Sequence, residues 1–172
     1  GLAVGGGVAR SLRRLGYGAV GVKWPNDLLA DGRKLGGILI HSRSSAPGGS
    51  EAIIGLGLNV RMPAKAGIDI DQPWCDLATL RAAAPPRRSE LAAVIIEDLL
   101  MTLARFDADG LAPFLARWRE LDALVGRRVR VTEGNAVREG EALGITDAGA
   151  LRVAHDDGER NYHSGDVSLR PT

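Results

Sequence analysis

The sequence predicts an α+β fold, in which helices pack on a mixed or antiparallel sheet and a small β-barrel follows. Three features support this prediction. Apolar segments of strand length, separated by turn-forming residues, occupy most of positions 19–60. Two segments with apolar residues at helical spacing follow between positions 89 and 124. From position 126 onward apolar and polar residues alternate, and glycine recurs at short intervals.

The composition is that of a globular chain. It has 172 residues, of which 45% are hydrophobic, and a formal net charge of +1. This length allows one domain of ordinary size and a small second one. A nucleic-acid-binding module normally shows a concentrated basic face, so nucleic acid is not expected as a partner. No apolar run approaches the roughly 18 residues of a membrane span. The single cysteine, Cys75, excludes an internal disulfide and fits a cytoplasmic protein.

A helix is predicted first, over Gly1–Leu15. Its Leu and Val residues recur at near-helical spacing with arginines on the other side, and Gly16 is a natural C-terminal stop. The three glycines at positions 5–7 have neither the preceding strand nor the Gly-Lys-Ser/Thr ending of a phosphate loop. We therefore interpret them as positions of close helix packing.

A strand and a turn follow the helix. The apolar residues 19–22 predict a strand, which should end before Pro25 because proline cannot donate to a β-ladder. Asn26 and Asp27 favour a turn, since their side chains bond nearby backbone. A generic polar turn between core strands is the alternative interpretation. Trp-Pro-Asn-Asp with a lysine on each side is unusual for such a turn.

A returning strand and a third strand are predicted next. Asp31-Gly32 favours a tight hairpin turn, and residues 34–42 then form the returning strand. This arrangement collects Lys23 and Lys34 at one end of a hairpin. Residues 51–60 predict a third strand, which we expect to pair antiparallel with the second.

Three helices are predicted between positions 76 and 124. A short helix is expected over Asp76–Ala83. Ser89 is a suitable N-cap for a long helix that ends at Gly110. Its expected buried face consists of Leu91, Ile95, Leu99, Leu103 and Phe106. A further helix over Leu111–Leu124 is expected to bury Phe114, Leu115, Trp118 and Leu121.

The alternation after Leu124 predicts short antiparallel strands punctuated by glycine. Such a series is typical of a small barrel of about 50 residues. We therefore predict two domains, with the boundary between residues 123 and 124. The first domain spans 1–123 and the second spans 124–172.

Three motifs together resemble the catalytic domain of bacterial biotin protein ligases. They are Lys23-Trp24-Pro25-Asn26-Asp27, Lys34-Leu35-Gly36-Gly37-Ile38-Leu39 and Gly55-Leu56-Gly57-Leu58-Asn59-Val60, in the family's order and spacing. The resemblance implies a fold like that of class II aminoacyl-tRNA synthetases and biotin ligases, followed by an SH3-like barrel. The family's upstream Gly-Arg-Gly-Arg loop does not occur in this sequence. We therefore expect the C-terminal part of a catalytic domain together with the barrel.

The resemblance also implies an activity. Members of the family use ATP to convert biotin to biotinyl-5′-adenylate. They then transfer biotin to one lysine of a biotin carboxyl carrier domain, here that of acetyl-CoA carboxylase. Mg²⁺ would accompany ATP, near Asn26 and Asp27. Dimerisation through the sheet is common in the family, so a homodimer is one form that the resemblance allows.

The family's roles map onto the first two motifs. Lys34 is expected to contact the biotin carboxylate and the α-phosphate, two anions that repel each other without a cation between them. Asp27 would attract the acceptor lysine and accept its proton, or it would hold Lys23 or Lys34 in place. Lys23 and Asn26 are candidate phosphate contacts, and Trp24 is a candidate wall of the site.

Further binding residues follow from the same resemblance. Asn59 offers a donor and an acceptor to adenine, or it caps a turn. Arg170 and Asp166 lie where the family brings its barrel near the nucleotide, and Ile38 belongs to the same binding set. Four glycines would let a ligand approach the strand backbone, or they are weak strand positions near a bulge; they are Gly36, Gly37, Gly55 and Gly57.

Two other functions remain as alternatives. The chain would be a non-catalytic fragment or binding module of the same fold if the absent glycine-arginine loop is indispensable. A lipoate ligase on a related fold is the second alternative. The Lys-Trp-Pro-Asn-Asp motif favours biotin, and a comparison of biotin with lipoate as ligand would discriminate between the two.

Overall fold

A computed structural model describes residues 1–45, 49–63, 72–163 and 167–171. The described residues form helices and strands in an α+β arrangement, as predicted, and the strands belong to two antiparallel sheets. In chain order the elements are α1 (Leu2–Arg14), β1 (Val20–Lys23), β2 (Asp27–Ala30), β3 (Arg33–Ser45), β4 (Gly49–Leu58), α2 (Leu77–Leu80), α3 (Arg88–Asp109), α4 (Ala112–Leu121), β5 (Arg128–Glu133), β6 (Ala136–Ile145), β7 (Leu151–His155), β8 (Gly158–Tyr162) and β9 (Val167–Pro171).

The first sheet has the order β1-β2-β3-β4, with every pair antiparallel. The predicted pairing of the third strand with the returning strand is confirmed, as β4 against β3. Strand β2 differs from the sequence prediction, which places Asp27 in a turn. All four residues of β2 are buried between β1 and β3. Burial on both sides therefore overrides the turn preference of its first residue.

The predicted first helix is confirmed as α1, which packs against α3, α4 and the first sheet. Val8 and Leu12 are fully buried in this contact. The glycine interpretation holds at Gly7, where an added methyl group would lie 3.0 Å from Thr102 Oγ1 on α3. At Gly6 the space is open, since nothing lies within 4 Å of the same position.

The long predicted helix is confirmed as α3, but part of its predicted buried face is wrong. Leu103 and Phe106 are 37% and 44% exposed, and Asp98 and Thr102 are buried in their place. Asp98 accepts a hydrogen bond of 2.5 Å from the hydroxyl of Ser11 on α1. A polar contact between the helices thus decides which face of α3 turns inward. The helix also begins at Arg88, one residue before the predicted cap Ser89.

The next helix, α4, buries Leu115, Trp118 and Leu121 as predicted, whereas Phe114 is only half-buried. It ends at Leu121, before the predicted Leu124, because the chain turns there to join the first sheet. The Ala123 N–H donates to the Val22 carbonyl of β1 at 2.9 Å. The short helix α2 covers Leu77–Leu80 and is capped by the Asp76 carboxylate, which accepts from the Thr79 N–H at 2.9 Å.

The second sheet has the order β8-β7-β6-β5-β9, and its described pairs are antiparallel. The predicted alternation is confirmed in β5, where Val129 and Val131 are buried and Arg128 and Arg130 are exposed. Strands β8 and β9 stand at the two ends of this order, and closure into a barrel stays a prediction. Among the described residues, no helix is long and apolar enough to span a membrane.

Asp122 lies where the chain passes from α4 toward the second sheet, and its carboxylate accepts from the Leu124 N–H at 3.0 Å. Burial raises the pKa of this carboxyl, although bonds from Leu124 and Val125 act in the opposite direction. Between the ordinary and the raised pKa the folded state binds more protons than the unfolded state. The free energy of unfolding therefore falls as pH rises through this window, and the loss persists at neutral pH.

We therefore expect Asp122→Asn to be more stable than the wild type at pH 7. The amide oxygen can still accept from Leu124, but no charge is buried. The advantage should shrink as pH falls below about 4, where the wild-type carboxyl is protonated in both states. Urea unfolding at several pH values measures this difference. Asp147→Asn is the control, since the Asp147 side chain is 90% exposed; an equal response of both variants would contradict the assignment to Asp122.

Candidate active site

The predicted site residues meet where β1, β2 and β3 adjoin strand β9 of the second sheet. Strand β1 ends at Lys23, which pairs with Asp27, the first residue of β2. The intervening turn contains a cis peptide bond between Trp24 and Pro25. Trp24 is buried, and its indole N–H donates to the Gly149 carbonyl of the second sheet's β6–β7 turn at 3.1 Å. The tryptophan therefore packs inside the protein and attaches the turn to the second sheet.

Asp27 joins the two lysines of the motifs. Its Oδ2 lies 2.7 Å from the Lys23 ammonium, and its Oδ1 lies 2.7 Å from the Lys34 ammonium. Lys23 and Asp27 are 8% and 9% exposed, whereas the Lys34 side chain is 31% exposed. One carboxylate thus serves two ammonium groups and leaves a net positive charge. That charge is accessible at Lys34.

A β-bulge turns Lys34 toward this carboxylate. Leu28 pairs with Gly36 but Leu29 pairs with Lys34, so Leu35 is an extra residue on β3. The bulge reverses the alternation of side chains, which places Lys34 on the same face as Gly37 while Leu35 is fully buried. The backbone of Lys34 is held as well, since its N–H donates to the Pro73 carbonyl at 2.8 Å.

Three of the four predicted glycines form an open surface beside Lys34, which we call the glycine platform: Gly37, Gly55 and Gly57. Gly37 pairs with Gly57, and Leu39 pairs with Gly55, so the three share one face of the sheet. A methyl group at position 37 would lie 3.3 Å from Asp27 Oδ1 and 3.7 Å from the Lys34 ammonium. Gly36 faces the other way, where a Cβ would collide with the Gly57 carbonyl. It serves strand packing.

The remaining predicted residues of the first sheet have structural contacts. The Asn26 amide donates to the Ile38 carbonyl at 2.8 Å, which braces the turn against β3. The Ile38 side chain is buried toward α1, so the structure does not bring it to the platform. The Asn59 amide donates to the Cys75 carbonyl at 3.0 Å. Burial raises the pKa of the Cys75 thiol, which lowers its thiolate fraction.

A cavity of about 260 Å³ opens beside the paired lysines. Its lining includes Lys23, Lys34 and Arg170, which is exposed on β9. Two cavities of about 360 Å³ lie elsewhere, one between α1, α3 and α4 and one between β4 and α3. The smaller cavity is the candidate site because three cations line it, and two of them, Lys23 and Lys34, are paired with the buried carboxylate of Asp27. The predicted residue Asp166 lies outside the described residues.

Sequence reasoning missed other parts of this site. Gln72 and Pro73 line the cavity, but they lie between the strand predicted over residues 51–60 and the helix predicted over Asp76–Ala83. The Leu169 carbonyl accepts from the Lys23 ammonium at 3.0 Å. No sequence signal marks that contact, because a main-chain carbonyl is present at every residue.

A cavity lined by three cations beside an open backbone surface can bind a small anionic molecule, because a cleft lined by one sign of charge attracts the opposite sign. Comparisons with known proteins assign the family. The model described as the biotin/lipoate A/B protein ligase family matches residues 2–59, which contain all three motifs except Val60. The model described as the biotin protein ligase C-terminal domain matches residues 124–170.

The chain is 36% identical over 169 residues to the bifunctional ligase/repressor BirA of Escherichia coli, covering 98% of this chain and 52% of that protein. It is 32% identical over 157 residues to a biotin–acetyl-CoA-carboxylase ligase of Paracoccus denitrificans, covering 85% and 61%. The chain therefore belongs to the biotin protein ligase family. It spans about half the length of the curated BirA relative from E. coli.

Solved structures support the fold. The biotin protein ligase from Aquifex aeolicus, in complex with biotin and ATP, matches 99% of this chain and 70% of that chain with a TM-score of 0.82. The apo structure of the A. aeolicus biotin protein ligase matches with a TM-score of 0.83. The sequence identities are 22% and 21%, so these matches concern the fold alone.

Proposed function

We propose that this chain carries part of the active site of a biotin protein ligase. Its reaction would convert biotin and ATP to biotinyl-5′-adenylate and then transfer biotin to a lysine of the carrier domain of acetyl-CoA carboxylase. The observation that carries this proposal is the Lys34 ammonium, held by Asp27 between the glycine platform and the cationic cavity. The names of the curated relatives agree with it.

Formation of the adenylate needs positive charge between the biotin carboxylate and the α-phosphate of ATP. A biotin carboxylate oxygen attacks the α-phosphorus of ATP, and the bond from that phosphorus to the bridging oxygen of the β-phosphate breaks, so pyrophosphate leaves. Lys34 would stand between the carboxylate and the α-phosphate and offset their repulsion. Arg170 lines the same cavity and would add positive charge beside the leaving pyrophosphate. The glycine platform would receive biotin along the sheet, because its three glycines have no side chains to block the approach.

Mg²⁺ belongs to this proposal as the counterion that ATP brings. Asn26 and Asp27 do not fit a protein-held metal site. Each Asp27 oxygen is already paired with a lysine at 2.7 Å, and the Asn26 amide donates to the Ile38 carbonyl. Among the described residues, no group of three or more His, Cys, Asp or Glu side chains is placed to hold a metal.

The role of Asp27 follows from the same contacts. With both oxygens occupied by lysines, its carboxylate is arranged to position Lys34. This favours the positioning role over that of the base for the incoming lysine. Transfer would then break the bond between the biotin acyl carbon and the adenylate oxygen as the acceptor amine attacks, releasing AMP.

We also propose that residues 1–123 and 124–172 are separate domains, and that the second is an SH3-like barrel. The match of the C-terminal domain model from residue 124 supports this division. The antiparallel order β8-β7-β6-β5-β9 supports the barrel, which would close by contact between β8 and β9.

The test is biotin transfer to a purified carrier domain with ATP and Mg²⁺, detected with streptavidin. We expect transfer to the wild-type carrier and none to a carrier whose acceptor lysine is replaced by arginine. Lipoate is tested in parallel, because the matched family model covers biotin and lipoate ligases. Transfer of lipoate alone would favour the second function. Absence of any transfer, by this folded chain alone and with the upstream half of a relative added, would refute the proposal.

Gly37→Val tests the platform. The valine methyl groups would cover the surface next to Asp27 Oδ1 and the Lys34 ammonium, so biotin affinity should fall by about 100-fold or more while the chain stays folded. Calorimetric titration with biotin measures this affinity. The control is Ala52→Val, because Ala52 is exposed on β4. Gly32→Val would be a poor control, because the φ of +72° at Gly32 would strain a valine there. Equal affinity losses in both variants would show that position 37 has no special role.

A further inference from the structure

We infer that Lys23 is a positioning residue, through which strand β9 of the second sheet holds Asp27 and thereby the ammonium of Lys34. The effect on catalysis rests on the proposed function, but the positioning itself does not. This role differs from the direct phosphate contact that the sequence motif implies for Lys23.

The ammonium of Lys23 is buried and its bonds are already made. Only 8% of the residue is exposed. Its Nζ lies 2.7 Å from Asp27 Oδ2 and donates to the Leu169 carbonyl at 3.0 Å. A buried ammonium is unfavourable unless such partners surround it. Of its three N–H groups, two therefore have fixed partners inside the protein. Its positive charge is matched by Asp27.

The Leu169 carbonyl is itself held in place. Leu169 is 2% exposed and pairs with Val131 of β5. Strand β9 stands at the end of its sheet order, and the Lys23 ammonium bonds to one of its main-chain carbonyls, that of Leu169. A contact across 146 positions of sequence thus ties the end of β1 to the second sheet.

The neighbouring residue strengthens the same attachment. Trp24 is 2% exposed, and its indole N–H donates to the Gly149 carbonyl at 3.1 Å. Two consecutive side chains of the site turn are therefore bonded to main-chain carbonyls of the C-terminal region. This anchors the turn that precedes Asp27.

Of the three charged side chains Lys23, Asp27 and Lys34, that of Lys34 is the least buried. Its side chain is 31% exposed, against 9% and 11% for those of Lys23 and Asp27. The contacts run from the Leu169 carbonyl to Lys23, then to Asp27, then to Lys34. Loss of Lys23 would leave Asp27 with a single cation and without its link to β9. The Lys34 ammonium would then shift relative to the platform.

The first test requires no enzymatic activity. The chain has three lysines, Lys23, Lys34 and Lys65, so protein labelled with ¹³C at the lysine Cε gives three signals. Lys34→Arg assigns the signal of Lys34. We expect Lys23→Met to displace the Lys34 signal, and Arg33→Met to leave it in place. Arg33 is the matched control because it is the adjacent cation and its side chain is 42% exposed.

Folding is controlled by a second variant. Lys23→Gln keeps a donor for the Leu169 carbonyl but removes the charge, and it should displace the Lys34 signal in the same direction by a smaller amount. A Lys34 signal that stays at its wild-type position in both folded variants would overturn the inference. If Lys23→Met does not fold, the result for Lys23→Gln decides.

The second test uses the kinetics of adenylate formation. A displaced Lys34 should lower kcat by about 10²-fold, the typical cost of misplacing a reacting group by about 1 Å. The KM for ATP should change little, because no direct contact with ATP is lost. A raised KM with unchanged kcat would instead assign Lys23 to direct phosphate binding and overturn the inference. Inactive wild-type protein would count against the proposed function alone, since the NMR result still decides the positioning role.

Discussion

We expect Lys34→Ala to lower the rate of biotinyl-adenylate formation by about 10²–10³-fold, the usual cost of removing one electrostatic stabiliser of a transition state. The Lys34 ammonium is the accessible charge of the lysine pair and lines the cationic cavity. Without it, the carboxylate of biotin would approach the triphosphate with less charge between them. Pyrophosphate release in the presence of biotin and ATP measures the rate.

Lys34→Ala should lower the rate of adenylate formation but leave the free energy of unfolding nearly unchanged. The Lys34 side chain is about one-third exposed, and an ion pair in contact with water contributes only about 0–1 kcal/mol to the free energy of unfolding. Arg33→Ala removes the neighbouring exposed cation and should keep a rate near that of the wild type. A wild-type rate for folded Lys34→Ala would remove Lys34 from the mechanism.

Asp27→Asn should have the largest effect on stability. It removes the negative charge that lies 2.7 Å from both lysines and leaves the ammonium of Lys23 buried without a counter-charge. Breaking a buried ion pair in this way costs about 3–5 kcal/mol. We expect a fall of that order in the free energy of unfolding, measured by urea denaturation. Adenylate formation should be lost as well, because Lys34 loses its partner.

Two further variants make this result specific. Asp147→Asn breaks the ion pair with Arg119, which has the same N–O distance of 2.7 Å, but Asp147 is 90% exposed; its cost should stay below about 1 kcal/mol. The double variant Lys23→Met with Asp27→Asn removes the buried positive charge too, and should recover part of the lost stability. Equal costs for Asp27→Asn and Asp147→Asn would show that burial of the site pair is unimportant.

Much of the fold could be predicted because local patterns indicate local structure. The helical spacing in α1 and α4, the Asp31-Gly32 turn and the alternation in β5 all correspond to elements in the structure. The error in the buried face of α3 has a physical cause. Asp98 and Thr102 are polar, so the apolar pattern could not assign them to the buried face of α3, where Ser11 satisfies Asp98.

The candidate site shows the same division. Motif order and spacing predicted a set of site residues, and the structure brings four of them, Lys23, Asp27, Lys34 and Gly37, together. The structure keeps Ile38 away from these four residues, because its side chain is buried toward α1. It also places Gly36 against the Gly57 carbonyl. The bulge at Leu35 explains this sorting. A shift of one residue exchanges the faces of a strand, and the residue types alone do not show it.

Most of the elements, the family and the charged residues follow from the order of residue types, because periodicity, turn chemistry and motifs are local properties of the chain. How those charges are held depends on the tertiary fold. The partners of Lys23 and Trp24 are the main-chain carbonyls of Leu169 and Gly149, 146 and 125 positions away. Every residue has such a carbonyl. Which of them meets the lysine or the tryptophan depends on where two sheets come into contact, and that is set by the burial of their apolar faces.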